Sequence, residues 1–303
     1  MKFLKNVRIL FLVLLLAAAA FAQNPPTMSA DKKPVAQQTA GNSQDLKLAS
    51  KLMAREMPYR VILPVNYAAE KDRKYAVLYL LHGLTGHFDN WGDKTKIGQY
   101  AAGYDYIVVM PEGNNGWYVD SATVPTDKYE SYILQELIPE IDAKFRTLAD
   151  REHRVVAGLS MGGYGSLKFG LKFPDKFVLA GSFSGALVAG GWTTKSFEAT
   201  GMKGPIPDSI KIAFGADDST TRADNDIFKM VRETTPEKAK TLPFLYVDCG
   251  TEDFLIAPNR EFAGLLLEKK IPHEFRERPG MHDWKFWDAS IYEFLALTKK
   301  YVR

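Results

Sequence analysis

Two hydrophobic rhythms alternate along this chain. Short runs in which nearly every position is apolar, many of them β-branched or aromatic, recur at 75–81 (YAVLYLL), 106–110 (YIVVM), 154–157 (RVVA), 177–182 (FVLAGS) and 245–249 (LYVDC). Runs this short, bounded by Gly, Asp, Asn and Pro, read as strands covered on both faces. Between them, apolar residues fall three and four apart. Tyr132, Leu134, Ile138, Ile141 and Phe145 predict a long amphipathic helix over 128–145, and Leu167 and Leu171 one over 164–172, with further helices over 258–269 and 284–297. The runs 46–53 and 57–63 predict a hairpin of strands at an antiparallel sheet edge, and the polar-alternating stretch 273–277 predicts a last strand. Strands alternating with helices predict an α/β fold, a mostly parallel central sheet with helices on both faces.

The first 45 residues follow neither rhythm. Lys2, Lys5 and Arg8 precede an uninterrupted apolar run at 9–21, and Ala20-Phe21-Ala22 fits an A-x-A cleavage site. The run is short for a bilayer span, so 1–22 is expected to be a cleaved signal peptide, with periplasmic or secreted localisation and no stable membrane anchor afterwards. Residues 23–45, rich in Pro, Ala, Gln, Thr and Ser, are expected to be a flexible linker. The folded domain is then 46–303. Removing the first 22 residues takes three of the 39 basic residues and none of the 36 acidic ones, which leaves 36 of each. That balance points away from nucleic acid and anionic membranes as partners. A single cysteine, Cys249, excludes an intrachain disulfide despite the expected export and reads as a buried thiol.

Chemistry enters at Gly158-Leu-Ser160-Met-Gly162, a G-x-S-x-G pattern between the strand at 154–157 and the helix at 164–172. Strand, tight turn and helix with a serine at the apex make a nucleophile elbow, as in an α/β-hydrolase. The turn lifts the serine Oγ above the sheet edge and aims the Met161 N–H at a developing oxyanion. A triad acid and a histidine are then required downstream, in that order. The acid is expected after the strand 245–249. Asp253, beyond the strand end, is preferred over Glu252, its near competitor, and over Asp248, which lies within the strand; capping the next helix is the alternative role for Asp253. Only His273 and His282 follow. His273 opens a strand at the far end of the sheet, whereas His282 sits in a loop after it, where the base belongs, and Asp283 beside it is expected to cap the last helix.

The strand 75–81 runs into His82-Gly-Leu84-Thr-Gly86, whose Leu84 N–H is assigned as the second oxyanion donor. His82, upstream of the serine, is read as structural, its ring bonded within the loop, and His87 as solvent-facing. The loop 111–118 (PEGNNGWY) follows a strand end, and Asn114, Asn115 and Trp117 are candidate substrate contacts, with a surface turn as the alternative for each asparagine. The rhythm breaks over 184–243, rich in Gly, Thr, Ala and Asp, which is expected to be an insertion over the active site. Its Asp217, Asp218, Asp224 and Asp226 read as a solvated acidic turn or a Ca²⁺ site, though their spacing does not fit an EF-hand. No H-E-x-x-H, paired cysteines or dinucleotide fingerprint appears, so no metal and no cofactor are expected.

His82-Gly-Leu-Thr-Gly, Met110-Pro-Glu-Gly-Asn, Gly158-Leu-Ser-Met-Gly-Gly-Tyr-Gly, Cys249-Gly-Thr-Glu-Asp-Phe and Gly280-Met-His-Asp-Trp stand in an order that resembles the esterase D-like "putative esterase" family of α/β-hydrolases. That family holds tributyrin and acetyl esterases, feruloyl and acetyl-xylan esterases, S-formylglutathione hydrolases and mycolyltransferases. The resemblance implies a serine carboxylesterase with Ser160, Asp253 and His282 as triad and Leu84 and Met161 as oxyanion hole. It also implies a small-molecule or carbohydrate-linked ester as substrate. Export argues against the cytosolic formylglutathione task. An exported hydrolase of short-chain or acetyl esters is expected, with a feruloyl or acetyl-xylan esterase or an acyltransferase as alternatives. A non-catalytic binding protein or a peptidase of the same fold is the more distant possibility.

Overall fold

Eight strands form one sheet in the order β1-β2-β4-β3-β5-β6-β7-β8. They are β1 (Ser43–Ser50), β2 (Arg55–Ile62), β3 (Ala76–Leu81), β4 (Tyr106–Pro111), β5 (Arg154–Leu159), β6 (Leu179–Phe183), β7 (Phe244–Gly250) and β8 (His273–Arg278). The computed structural model describes residues 43–302, so the expected signal peptide and all but the end of the linker lie outside the described residues. β1 and β2 form the expected antiparallel edge, and β2 joins β4 antiparallel; every later pairing is parallel.

One boundary differs from the sequence reading. Residues 43–45, expected as linker, already pair with β2: Ser43 with Ile62, Gln44 with Val61 and Asp45 with Arg60. Their polar composition hides a strand held by its ladder and by an ion pair between Asp45 and Arg60 at 2.5 Å.

The strands β3 to β7 are buried on both faces, as their unbroken apolar runs require, while the edge strand β8 is polar and half-buried. In β3, Val77, Tyr79 and Leu81 enter one core cluster, while Ala76, Leu78 and Leu80 enter another on the opposite face. This is the period-2 alternation of a strand, filled twice. The predicted helix over 128–145 forms, but with a change of pitch. Tyr129–Ser131 is α-helical, Tyr132–Leu137 is a π-helical turn, and Ile138–Lys144 returns to α. Pro139 accounts for the change: it has no N–H for the carbonyl of Gln135 and its ring would crowd that carbonyl. The wide turn lets Ile138 N–H reach the Ile133 carbonyl instead.

Between β6 and β7 the patchy segment resolves into short helices, Thr194–Thr200, Pro205–Phe214, Thr220–Ala223, Ile227–Arg232 and Pro236–Ala239. Four of the five are capped at the N-terminus by a side chain, from Thr193, Ser219, Asp226 and Thr235. Helices this short need such caps and tertiary packing to persist, and they are too short to show a clear apolar period. Asp226 serves as a cap, and Asp217 accepts the Thr194 N–H at 2.8 Å. Among the described residues no group of three His, Cys, Asp or Glu is placed to hold a metal ion. Nor is any described helix long and apolar enough to cross a membrane. Cys249 is buried in β7, and burial pushes its thiol pKa up.

Candidate active site

Ser160 sits at the apex between β5 and the helix Met161–Lys172, with φ 53° and ψ −114°. A non-glycine residue rarely adopts this conformation, and it costs free energy that the surroundings must supply. Three backbone hydrogen bonds hold it: Ser160 N–H to the Phe183 carbonyl at 2.9 Å, and its own carbonyl receiving Tyr164 N–H at 3.1 Å and Ala186 N–H at 3.0 Å. The flanking glycines permit the close crossing of strand and helix. A Cβ on Gly158 would stand 2.6 Å from the carbonyl carbon and oxygen of Gly162, and one on Gly162 would stand 2.6 Å from the His82 carbonyl.

The loops after β7 and β8 bring the candidate acid and the candidate base to Ser160. His282 Nε2 lies 3.0 Å from Ser160 Oγ, and its Nδ1 lies 2.8 Å from Asp253 Oδ2. The three residues are thus brought together from widely separated parts of the chain. Asp253 is buried and its other oxygen accepts the Leu255 N–H at 2.9 Å, so it also serves the start of the next helix. Burial opposes its ionisation, but the hydrogen bonds from His282 and Leu255 outweigh that and hold its pKa below the usual carboxylate range. The His282 side chain is 20% exposed, enough for a substrate to reach it from the solvent side.

The competing acids do other work. Asp248 is wholly buried in β7, 3.3 Å from Arg278, and burial raises its pKa to about 7 despite that neighbour. Glu252 accepts the Gly280 N–H and the Thr251 hydroxyl. It fastens the acid loop to the base loop rather than to the imidazole. The same two loops touch through their backbones: Glu252 N–H bonds the Gly280 carbonyl at 3.1 Å, and a Cβ on Gly250 would run into that carbonyl. Asp283 caps the last helix, accepting the Phe286 N–H at 2.9 Å.

His82 is 1% exposed and lies away from the triad's hydrogen bonds. Its Nδ1 is 2.8 Å from the Gly83 carbonyl, while its Nε2 receives the Gly113 N–H at 2.8 Å and lies 3.1 Å from Glu112 Oε1. The structural reading of His82 therefore fits. His87, expected to face solvent, has a largely exposed ring, but its Nδ1 also reaches Glu112 Oε2 at 3.1 Å.

Glu112 is the residue that sequence reasoning passed over. It is 4% exposed and binds both ends of the loop that carries Leu84. Burial would raise its pKa, but His82, the Asn114 N–H and His87 lower it to about 2. The available signal was an acid directly after an apolar strand, in the Met110-Pro-Glu-Gly-Asn segment.

Leu84 and Ser160 line one depression of about 220 Å³, together with Leu159, His282, Trp284 and Trp287. Met161 follows Ser160 at the first turn of the twelve-residue helix, fully buried, so that its N–H belongs to the unpaired positive end of that helix. None of the residues 184–243 lines this depression. The helix Pro205–Phe214 instead walls a neighbouring one of about 440 Å³, which Asn114 and Asn115 also line. Asn114 Nδ2 donates to the Tyr129 hydroxyl at 2.8 Å, and Asn115 Oδ1 accepts the Thr85 N–H at 2.8 Å, so Asn115 joins the two depressions.

Trp117 needs correcting as a substrate contact. It is 1% exposed, its indole N–H donates to Ser209 Oγ at 2.9 Å, and its ring packs at 6.0 Å from both Tyr164 and Trp192. A loop tryptophan after polar residues looked like rim, but the insertion covers it and uses it as core.

The family described as "Putative esterase" matches residues 50–298. An acetyl esterase of Caldicellulosiruptor saccharolyticus is 29% identical over 262 residues, covering 82% of this chain and 95% of that protein. An esterase of Mycobacterium tuberculosis is 35% identical over 243 residues, 73% of this chain, although the match spans only 51% of that longer protein. Among solved structures, a ferulic acid esterase superposes with a TM-score of 0.72 at 28% identity, covering 86% of this chain and 98% of that one. A fluorophosphonate-binding serine hydrolase of Staphylococcus aureus gives 0.74 at 27% identity, with 85% and 98% covered.

Proposed function

Since the chain belongs to this esterase family and has its α/β-hydrolase fold, we propose that it is a serine carboxylesterase working through an acyl-enzyme, exported, and directed at acetyl and other short-chain esters. That it is a carboxylic ester hydrolase follows from the family and from relatives named esterases and serine hydrolases. The observation that carries the mechanism is the single imidazole within hydrogen-bond distance of both Ser160 and Asp253.

In this mechanism His282 Nε2 takes the Ser160 proton as Oγ bonds to the ester carbonyl carbon. The N–H groups of Leu84 and Met161 receive the negative charge that develops on the carbonyl oxygen. Collapse expels the alcohol, which takes the proton from His282 and leaves an acyl-serine. Water then gives a proton to His282, attacks the acyl carbon and releases the acid, while the proton returns to Ser160. Asp253, ionised at neutral pH, holds the imidazole in orientation and balances the imidazolium.

The small volume around Ser160 and the acetyl esterase relative support a short acyl group. The N-terminal basic and apolar pattern supports export. A feruloyl or acetyl-xylan ester is the second reading, favoured by the structural likeness to a ferulic acid esterase and by the tryptophan walls of the depression. Assay of residues 23–303 on p-nitrophenyl esters from acetate to decanoate, beside methyl ferulate and acetylated xylan, separates the two. Preference for acetate and butyrate, lost in Ser160→Ala, is expected. Preference for ferulate or xylan replaces the first reading with the second, and full activity in Ser160→Ala overturns the mechanism.

A further inference from the structure

One charged side chain lines the depression that holds Ser160 and His282. Apart from Ser160 and His282, the other lining residues are uncharged: Gly83, Thr85, Gly86, Asn90, and the apolar Leu84, Leu159, Trp284 and Trp287. The exception is Lys94.

Lys94 stands at the end of the short helix Asn90–Lys94, exposed to solvent, with its Nζ 5.2 Å from the centre of the Trp284 ring. That ring is itself fixed. It meets Trp91 edge-on at 5.6 Å and Trp287 edge-on at 5.2 Å, and Trp91 is buried with its indole N–H on the Leu81 carbonyl at 2.9 Å. A cation seated on an immobilised aromatic face loses less rotamer freedom on meeting a ligand than a free surface lysine does.

The carboxylates of this region make their direct contacts with other groups. Asp93 pairs with Arg60 at 2.5 Å, Asp283 caps the last helix, and Asp288 accepts the Lys96 N–H and the Tyr100 hydroxyl at 2.8 and 2.7 Å. Among the described residues none forms an ion pair with Lys94. The wall beside the nucleophile therefore carries one lysine that no carboxylate engages directly.

We infer that Lys94 is a specificity residue, and that the preferred esters carry a carboxylate or similar anion on the acyl or the alcohol side within reach of its ammonium group. This rests on the esterase reading of the same site. A neutral ester gains nothing from the charge. An anionic ester gains a contact on the solvent-facing wall, strong at low salt and screened as salt rises.

Two matched pairs of substrates locate the anion: p-nitrophenyl hemisuccinate against p-nitrophenyl butyrate for the acyl side, and 4-acetoxybenzoate against 4-acetoxyacetophenone for the alcohol side. Within each pair the ratio of kcat/KM, anionic over uncharged, is compared between the wild-type protein and Lys94→Met, so that intrinsic reactivity cancels. In one pair the ratio is expected to fall about three- to fivefold in Lys94→Met. It should fall further in Lys94→Glu, recover in Lys94→Arg, and shrink in the wild type on going from low salt to 0.3 M salt (roughly one Debye length of 6 Å). Ratios that agree between wild type and Lys94→Met in both pairs overturn the inference while leaving the esterase reading intact. Failure of the wild type to cleave any of the four esters overturns both.

Discussion

The buried carboxylate of Glu112 lies 3.1 Å from Nε2 of His82, and through that pair β4 is tied to the loop that leaves β3. Glu112 also accepts the Asn114 N–H at 2.6 Å and lies 3.4 Å from the Phe88 N–H. Leu84 sits between the anchored His82 and Phe88, so the position of its N–H depends on a buried carboxylate that does not line the depression around Ser160.

Glu112→Gln keeps the volume but removes the charge and turns one acceptor into a donor facing N–H groups. A fall in kcat of about tenfold with little change in KM is expected if Leu84 N–H is the proposed oxyanion donor, since such a donor acts in the transition state. A loss of about 1–3 kcal/mol of stability should accompany it. Steady-state kinetics on p-nitrophenyl acetate with thermal unfolding checks this; a rise in KM at constant kcat would show that the loop binds the ground state instead.

Two buried carboxyls pull stability in opposite directions with pH. Glu112 has a folded pKa of about 2 against 4.5, so its contribution is complete above 4.5 and lost as pH falls towards 2. Asp248 has a folded pKa of about 7 against 3.8, so the fold prefers its protonated form. Its contribution is complete below 3.8 and lost as pH rises to 7, a loss on the order of 4 kcal/mol. Urea unfolding between pH 4 and 8 should show stability declining towards 7 and then levelling. Asp248→Asn should flatten that decline, and parallel curves for the two proteins would assign the dependence to another group.

Asp253 and Glu252 are neighbours with separate tasks. Asp253→Asn is expected to lower kcat by roughly 10³–10⁴ with the fold retained, as loss of the imidazole's orienting charge does in such triads. Glu252→Gln should cost about tenfold or less, together with a lower melting temperature, since its bond is to Gly280 N–H. Equal losses from the two substitutions would contradict this division.

Trp117→Phe tests a core role against a rim role. Losing the indole bond to Ser209 and part of the ring is expected to cost about 2 kcal/mol, while KM for short esters shifts less than twofold. A several-fold rise in KM at unchanged stability would return Trp117 to the substrate.

Long apolar runs such as 75–81 were legible because both faces of β3 are buried, which leaves no polar interruption to misread. The triad candidates were legible because order along the chain restricts them: after Ser160 only two histidines remain beyond the acid. Other features depended on tertiary context that no local pattern carries. Residues 43–45 are polar yet paired, because an edge strand is held by its ladder and by Arg60. Trp117 looked exposed until an insertion nearly a hundred residues later covered it with Ser209. Glu112 left only its place after a strand, since its partners His82 and His87 lie on another loop.

The contact between Gly250 and Gly280 makes the two loops one mechanical unit. A homologous loop of different length grafted after β7 alone would carry the carboxylate to a new height while the imidazole stayed behind, and the reverse graft would do the same to the base. Redesign of this enzyme by loop exchange therefore has to move 250–255 and 278–283 as a matched pair, with the glycine at each end of the contact kept.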